Sequence, residues 1–84
     1  METIRLANVD RTGLHDLFQQ LLPAPYGRNL DALHDSLSCL STTLTIELDE
    51  ASLLATLGDR YYDSLLRMLR DTAEENSKLT ISVL

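Results

Sequence analysis

Asp31 and Asp35 stand four residues apart in the run Tyr26–Leu37, YGRNLDALHDSL, with His34 between them. Carboxylates and an imidazole at this spacing could hold a cationic partner, ligate a metal or share acid–base work. In a helix, roughly 100° per residue places Asp31, His34, Asp35 and Ser38 in one sector roughly 100° wide, turned to solvent. Like charges at i,i+4 cost a helix about 0.2–0.5 kcal/mol, so folding alone does not favour the pair. A metal site would want a second histidine or a cysteine pair at ligand spacing, and none is present. Acid–base catalysis would want a cleft that excludes water, for which a short chain has little material. No nucleophile motif, phosphate loop or dinucleotide fingerprint occurs, so an enzyme is not expected, and neither a cofactor nor a metal is implied. An ordinary solvated helix face stays open as an alternative.

A second acidic group lies near the C-terminus. Met68, Asp71 and Glu75 fall on one side of an expected helix, beside its buried face. With Glu74, three carboxylates crowd a helix C-terminus, where the macrodipole disfavours them. Arg67 and Arg70 stand at i+4 from Asp71 and Glu74 and are expected to offset them, leaving the Asp71–Glu75 pair uncompensated. Two costly acidic pairs on two helices point to a surface kept for binding.

These residues need elements to hold them. Asn29 is a good N-cap, Gly27 can take positive φ before it, and Leu30, Leu33, Leu37 and Leu40 repeat as a buried stripe to about Leu40. An earlier helix, capped by Thr12, is predicted from Gly13 to about Leu22, with Leu14, Leu17, Phe18 and Leu21 inward. Pro23 and Pro25 end it and stiffen the link to Tyr26. A short helical stretch is predicted over Glu50–Leu57, broken at Gly58. A longer helix runs from Asp59 to about Glu75, with Tyr62, Leu65, Leu66, Leu69 and Ala73 buried. Thr3–Leu6, Leu44–Leu48 and the segment around Leu79, Ile81 and Val83 alternate polar and apolar as strands. Strands separated by helices imply parallel pairing with right-handed crossovers. Strict alternation, rather than continuous apolar runs, implies helices on one face only. The predicted fold is a two-layer α/β domain with a three-stranded parallel sheet, one domain over residues 1–84.

The net charge of −6 makes nucleic acid and anionic membrane poor partners and a basic protein a natural one, although solubility alone would also account for it. At 44% hydrophobic and 24% charged residues the chain is globular in composition. Cys39 is the only cysteine, so no internal disulfide forms. Met1 leads directly into a strand-like segment without a secretory leader pattern, and no apolar run is long enough to span a bilayer. A reducing cytoplasm is the expected location.

The run YGRNLDALHDSL resembles the signature segment of the barstar family, intracellular inhibitors of the ribonuclease barnase. LTIEL is similar to that family's middle strand, and LLRMLRDTAEE and LTISVL to its last helix and strand. The N-terminal third agrees in pattern only. The resemblance implies a barstar-like fold and a contact surface for a ribonuclease active site. Asp35 matches the principal aspartate and Asp31 a second one a turn earlier. Gly27 and Asn29 match loop positions that meet the enzyme, Asp71 and Glu75 match acids on the last helix, and Met68 an apolar contact. Tyr26, Arg28, His34 and Ser38 complete the expected partner-binding surface.

Departures from the pattern bear on specificity. Pro25 stands where the family has a contact tyrosine, His34 replaces a tryptophan and Arg28 replaces an acid. One residue is lost before the middle strand. The implied function is stoichiometric inhibition of a basic microbial ribonuclease by acidic helix residues that mimic RNA phosphate. The implied partner is a basic extracellular-type ribonuclease or toxin nuclease, bound 1:1 by a monomer. The alternative is an immunity or regulatory module of the same fold that binds a different basic toxin or a non-nuclease protein.

Overall fold

Leu44, Ile46 and Leu48 alternate with Thr45 and Glu47, and the structure buries the first set and leaves the second half-exposed. The coordinates, a computed structural model, describe residues 2–22 and 29–84. Tyr26, Gly27 and Arg28, with Pro23 and Pro25, lie outside the described residues.

Among the described residues the elements run β1 (Glu2–Leu6), α1 (Arg11–Leu21), α2 (Leu30–Ser38), β2 (Leu44–Leu48), α3 (Glu50–Leu57), α4 (Asp59–Glu75) and β3 (Leu79–Val83). The strands form one parallel sheet in the order β1-β2-β3. Register places Ile4, Ile46 and Ile81 side by side, and Arg5 opposite Glu47. One face, carrying Leu6, Leu44, Ile46, Leu48 and Leu79, joins the helices in a single core. The other carries Thr3, Arg5, Thr45, Glu47, Thr80 and Ser82, none of them buried. The alternation in the strands therefore records an α/β sheet covered on one side.

The first helix differs from expectation in two ways. It starts at Arg11, not Gly13, because Asp10 rather than Thr12 is the cap: the Asp10 carboxylate accepts from the backbone N–H of Gly13 at 2.8 Å. A carboxylate both satisfies an orphan donor and complements the positive end of the helix dipole. The inward stripe is Leu14, His15, Phe18 and Leu22, while Leu17 and Leu21 are 36% and 41% exposed. Five apolar residues between positions 14 and 22 allow two overlapping stripes. A buried histidine decides between them, because His15 Nε2 lies 2.9 Å from the Tyr61 hydroxyl.

Helix α4 begins and ends where predicted. Tyr62, Leu65 and Leu69 are buried, Leu66 and Ala73 only half-buried, and Thr72 joins the core instead. Its hydroxyl donates back to the Met68 carbonyl at 2.7 Å, which removes the cost of burying it. Gly58 closes α3 and opens α4 at φ +85°, a conformation that favours glycine over any residue with a side chain.

Candidate partner-binding site

The Asn29 side chain accepts from the backbone N–H of Ala32 at 2.8 Å and so starts α2 as its spacing predicted. Leu33 and Leu37 are fully buried, with Leu30 and Leu40 half-buried at the margins of the same stripe. Burying two leucines is worth about 3–6 kcal/mol, enough to hold so short a helix against the core. With that side committed inward, Asp31 and Asp35 must face out. Both are exposed, and the Asp35 side chain retains 87% of its accessibility.

His34 does not face solvent with them. Its ring is one-third exposed and lies toward α4, with Nε2 3.3 Å from Glu75 Oε2 and Nδ1 3.7 Å from Asp35 Oδ1. The helical wheel treats α2 as a lone cylinder; packing against α4 closes the part of the sector that His34 occupies. Ser38 is also half-buried, and its hydroxyl donates to the Asp35 carbonyl at 2.9 Å.

The acids on α4 sit as the sequence placed them, with a different cation arrangement. Asp71 and Glu75 are exposed and Met68 is half-buried against the core. Arg67 pairs with Asp63 at 3.1 Å, one turn back, and not with Asp71. Glutamate or aspartate preceding arginine at i,i+4 is the better orientation on a helix, which explains the choice. Asp31 and Asp71 have no cationic partner among the described residues. Thus α2 and α4 bring Asp35 and Glu75 to either side of one imidazole, and the two acidic groups become one face.

Asn76, absent from every sequence expectation, locks that arrangement. Its side-chain amide reaches across from the end of α4 to the carbonyls of Leu37, Ser38 and Leu40, at 3.0, 3.4 and 3.3 Å. The Leu37 and Ser38 carbonyls end α2, which stops at Ser38 rather than Leu40, and the Leu40 carbonyl lies just beyond; a helix C-terminus needs such donors. The side-chain oxygen also accepts from the backbone N–H of Lys78 at 3.1 Å. Its only sequence signal was position, an asparagine immediately after a long helix.

Two cavities border these elements. One, of about 440 Å³, lies beside Asp35 and is lined in part by Leu21, Ser36, Cys39 and Leu40. The other, of about 330 Å³, lies between α1 and the start of α2, where Arg11 stacks on the Tyr61 ring at 4.2 Å. Burial raises the Tyr61 hydroxyl above its ordinary value of 10.0, with Arg11 pulling the other way. Among the described residues no cluster of three or more His, Cys, Asp or Glu side chains is placed to hold a metal ion. No helix among them is long and apolar enough to cross a membrane.

A family profile described as Barstar (barnase inhibitor) matches residues 3–84. The chain belongs to the barstar family. No curated protein matches it. Barstar-family membership covers the N-terminal third, where the residues themselves agreed in pattern only. It accords with the three parallel strands and four helices found among the described residues. The family is one of barnase inhibitors, so inhibition of a ribonuclease is the type of function that membership implies.

Proposed function

We propose that this barstar-family chain is a cytoplasmic, single-domain inhibitor of a basic microbial ribonuclease, binding 1:1 and blocking the active site with carboxylates in place of RNA phosphate. The observation that carries the reading is the shared face on which α2 presents Asp35 and α4 presents Glu75, their carboxylates 3.7 and 3.3 Å from the two nitrogens of His34. A ribonuclease gathers cationic side chains to hold a scissile phosphate, and rigidly held carboxylates can accept the same charge-assisted hydrogen bonds. The excess negative charge of the chain adds electrostatic attraction to the encounter.

Within this reading Asp35 is the anchor, exposed by 87% and free of any arginine or lysine among the described residues. Asp31, Asp71 and Glu75 flank it, Met68 supplies an apolar contact, and Asn29 and Ser38 lie at the rim; Tyr26, Gly27 and Arg28 remain expected contacts from the family resemblance alone. The chain performs no catalysis of its own.

Titration of barnase with the wild type and Asp35→Ala tests the assignment. The variant is expected to inhibit at least about 30-fold more weakly, or about 2 kcal/mol, a size known for interface anchors, barnase–barstar among them, rather than one worked from the distances above. Its folding stability should stay within about 0.5 kcal/mol of the wild type, because the side chain is open to solvent. Equal inhibition by the two proteins would remove Asp35 from the role.

One observation favours a second reading. His34 puts a titratable ring in the centre of the face where the family resemblance leads to tryptophan, and an imidazole recognises a different neighbour from an indole. A related basic toxin, or a basic protein without nuclease activity, would then be the partner. Recovery from the source cell of a tightly bound basic protein without nuclease activity, together with no binding to barnase, would support that reading over inhibition.

A further inference from the structure

Resting on the inhibitor reading, we propose that His34 is the proton-carrying counter-ion of the acidic face, and that docking of a cationic surface expels its proton. The ring lies toward α4 with Nε2 facing Glu75 at 3.3 Å and Nδ1 facing Asp35 at 3.7 Å. It is 33% exposed against 87% and 58% for the two carboxylates, so the acids stand open to a partner and the ring sits behind them.

Only the doubly protonated imidazole carries an N–H toward both carboxylates; the neutral ring serves one and turns a lone pair to the other. The ionisable groups on the two helices are all acids on this side: Asp35 beside the ring and Asp31 a turn before it on α2, Glu75 beside the ring and Asp71 a turn before that on α4. No arginine or lysine among the described residues pairs with any of the four, and Arg67 is taken by Asp63.

A partner that sets arginine or lysine on Asp35 and Glu75 reverses this balance. The carboxylates then satisfy the incoming cations, and a charged ring behind them would have like charge as its neighbour. The neutral ring is the form that fits the complex. The balance is simple: protonated inhibitor plus partner gives a complex with neutral His34 and one proton taken up by buffer. Affinity therefore rises as pH rises, and levels off once the ring of the free protein is already neutral before docking.

Calorimetry at about pH 6 in two buffers of different ionisation enthalpy counts that proton. Two probes are used: barnase, and decalysine, which has the charge without an active site. Wild type is expected to release up to one proton more than His34→Gln on both, and Glu75→Gln, which keeps the ring but removes one counter-ion, to release less than wild type. Equal proton counts for wild type and His34→Gln on decalysine would overturn the proposal. Proton release on decalysine with no binding of barnase would instead remove the inhibitor reading and leave the linkage standing. Inhibition of barnase with equal counts for the two proteins would do the reverse.

Discussion

Asn76→Ala isolates the contact that joins the two acidic helices. The amide has two hydrogens for three carbonyls at 3.0, 3.3 and 3.4 Å, so it makes one full bond to Leu37 and shares the other between Ser38 and Leu40. Each bond is worth about 0.5–1.5 kcal/mol net, and the lost contact to the Lys78 N–H adds a similar amount. Asn76 is half-buried, so water can replace part of this, and the expected loss is about 1.5–3 kcal/mol. The backbone cap is spared, since the residue 76 N–H still donates to Thr72. For a chain of this length the loss corresponds to a fall of roughly 8–20 °C in Tm. Thermal and urea unfolding followed by circular dichroism would measure it. Asn76→Asp is the sharper variant: it keeps the acceptor for Lys78 but turns a carboxylate toward three carbonyls. It should be at least as unstable as alanine at neutral pH. A loss below about 0.5 kcal/mol for alanine, or an aspartate variant more stable than alanine, would refute the argument that donation to α2 is what matters.

Three further outcomes follow from the packing. Leu14→Ala should cost about 2–5 kcal/mol by leaving a cavity, whereas Leu17→Ala should cost under about 1 kcal/mol; equal losses in urea unfolding would contradict the observed stripe of α1. Tyr62→Phe should leave stability unchanged or raise it by up to about 1 kcal/mol, because its buried hydroxyl has no partner among the described residues. A marked loss in that variant would reveal a hydrogen bond. Burial raises both Tyr61 and Tyr62, the latter with Glu50 adding to the effect and Arg70 opposing it. The folded phenols therefore hold their protons longer than the unfolded ones. The stability this reflects is intact below about pH 10 and is lost as pH rises through the folded values. Ultraviolet titration of tyrosinate in native and urea-unfolded protein would check the order of the two transitions.

Much of the fold can be read from periodicity. The bounds of β2, α3 and α4 coincide with the alternation and stripes in the residues, because each apolar face in them has one neighbour pattern to satisfy. Helix α2 stops two residues short of its stripe, and helix α1 departs further: its surplus of leucines supports two faces, and the choice depends on Tyr61 being available to His15. The candidate site is legible in the same way. Asp31, Asp35, Asp71 and Glu75 stand out as acids whose spacing works against their helices. The engagement of Arg67 with Asp63 is legible too, since an acid one turn before an arginine is the better i,i+4 order on a helix.

The amino-acid order alone determined the family, the strand and helix types, and the acids that any partner must meet, since all of these are local properties of residue type and spacing. Tertiary structure decided that the two acidic groups are one. Helix α4 packs on α2, Asn76 ties their ends, and His34 turns from the expected solvent sector toward Glu75. The physical reason is distance along the chain: a contact between residues so far apart exists only after the core has brought their helices together. For that reason the imidazole at the centre of the face could be seen in the sequence, but not the carboxylate on α4 that it serves.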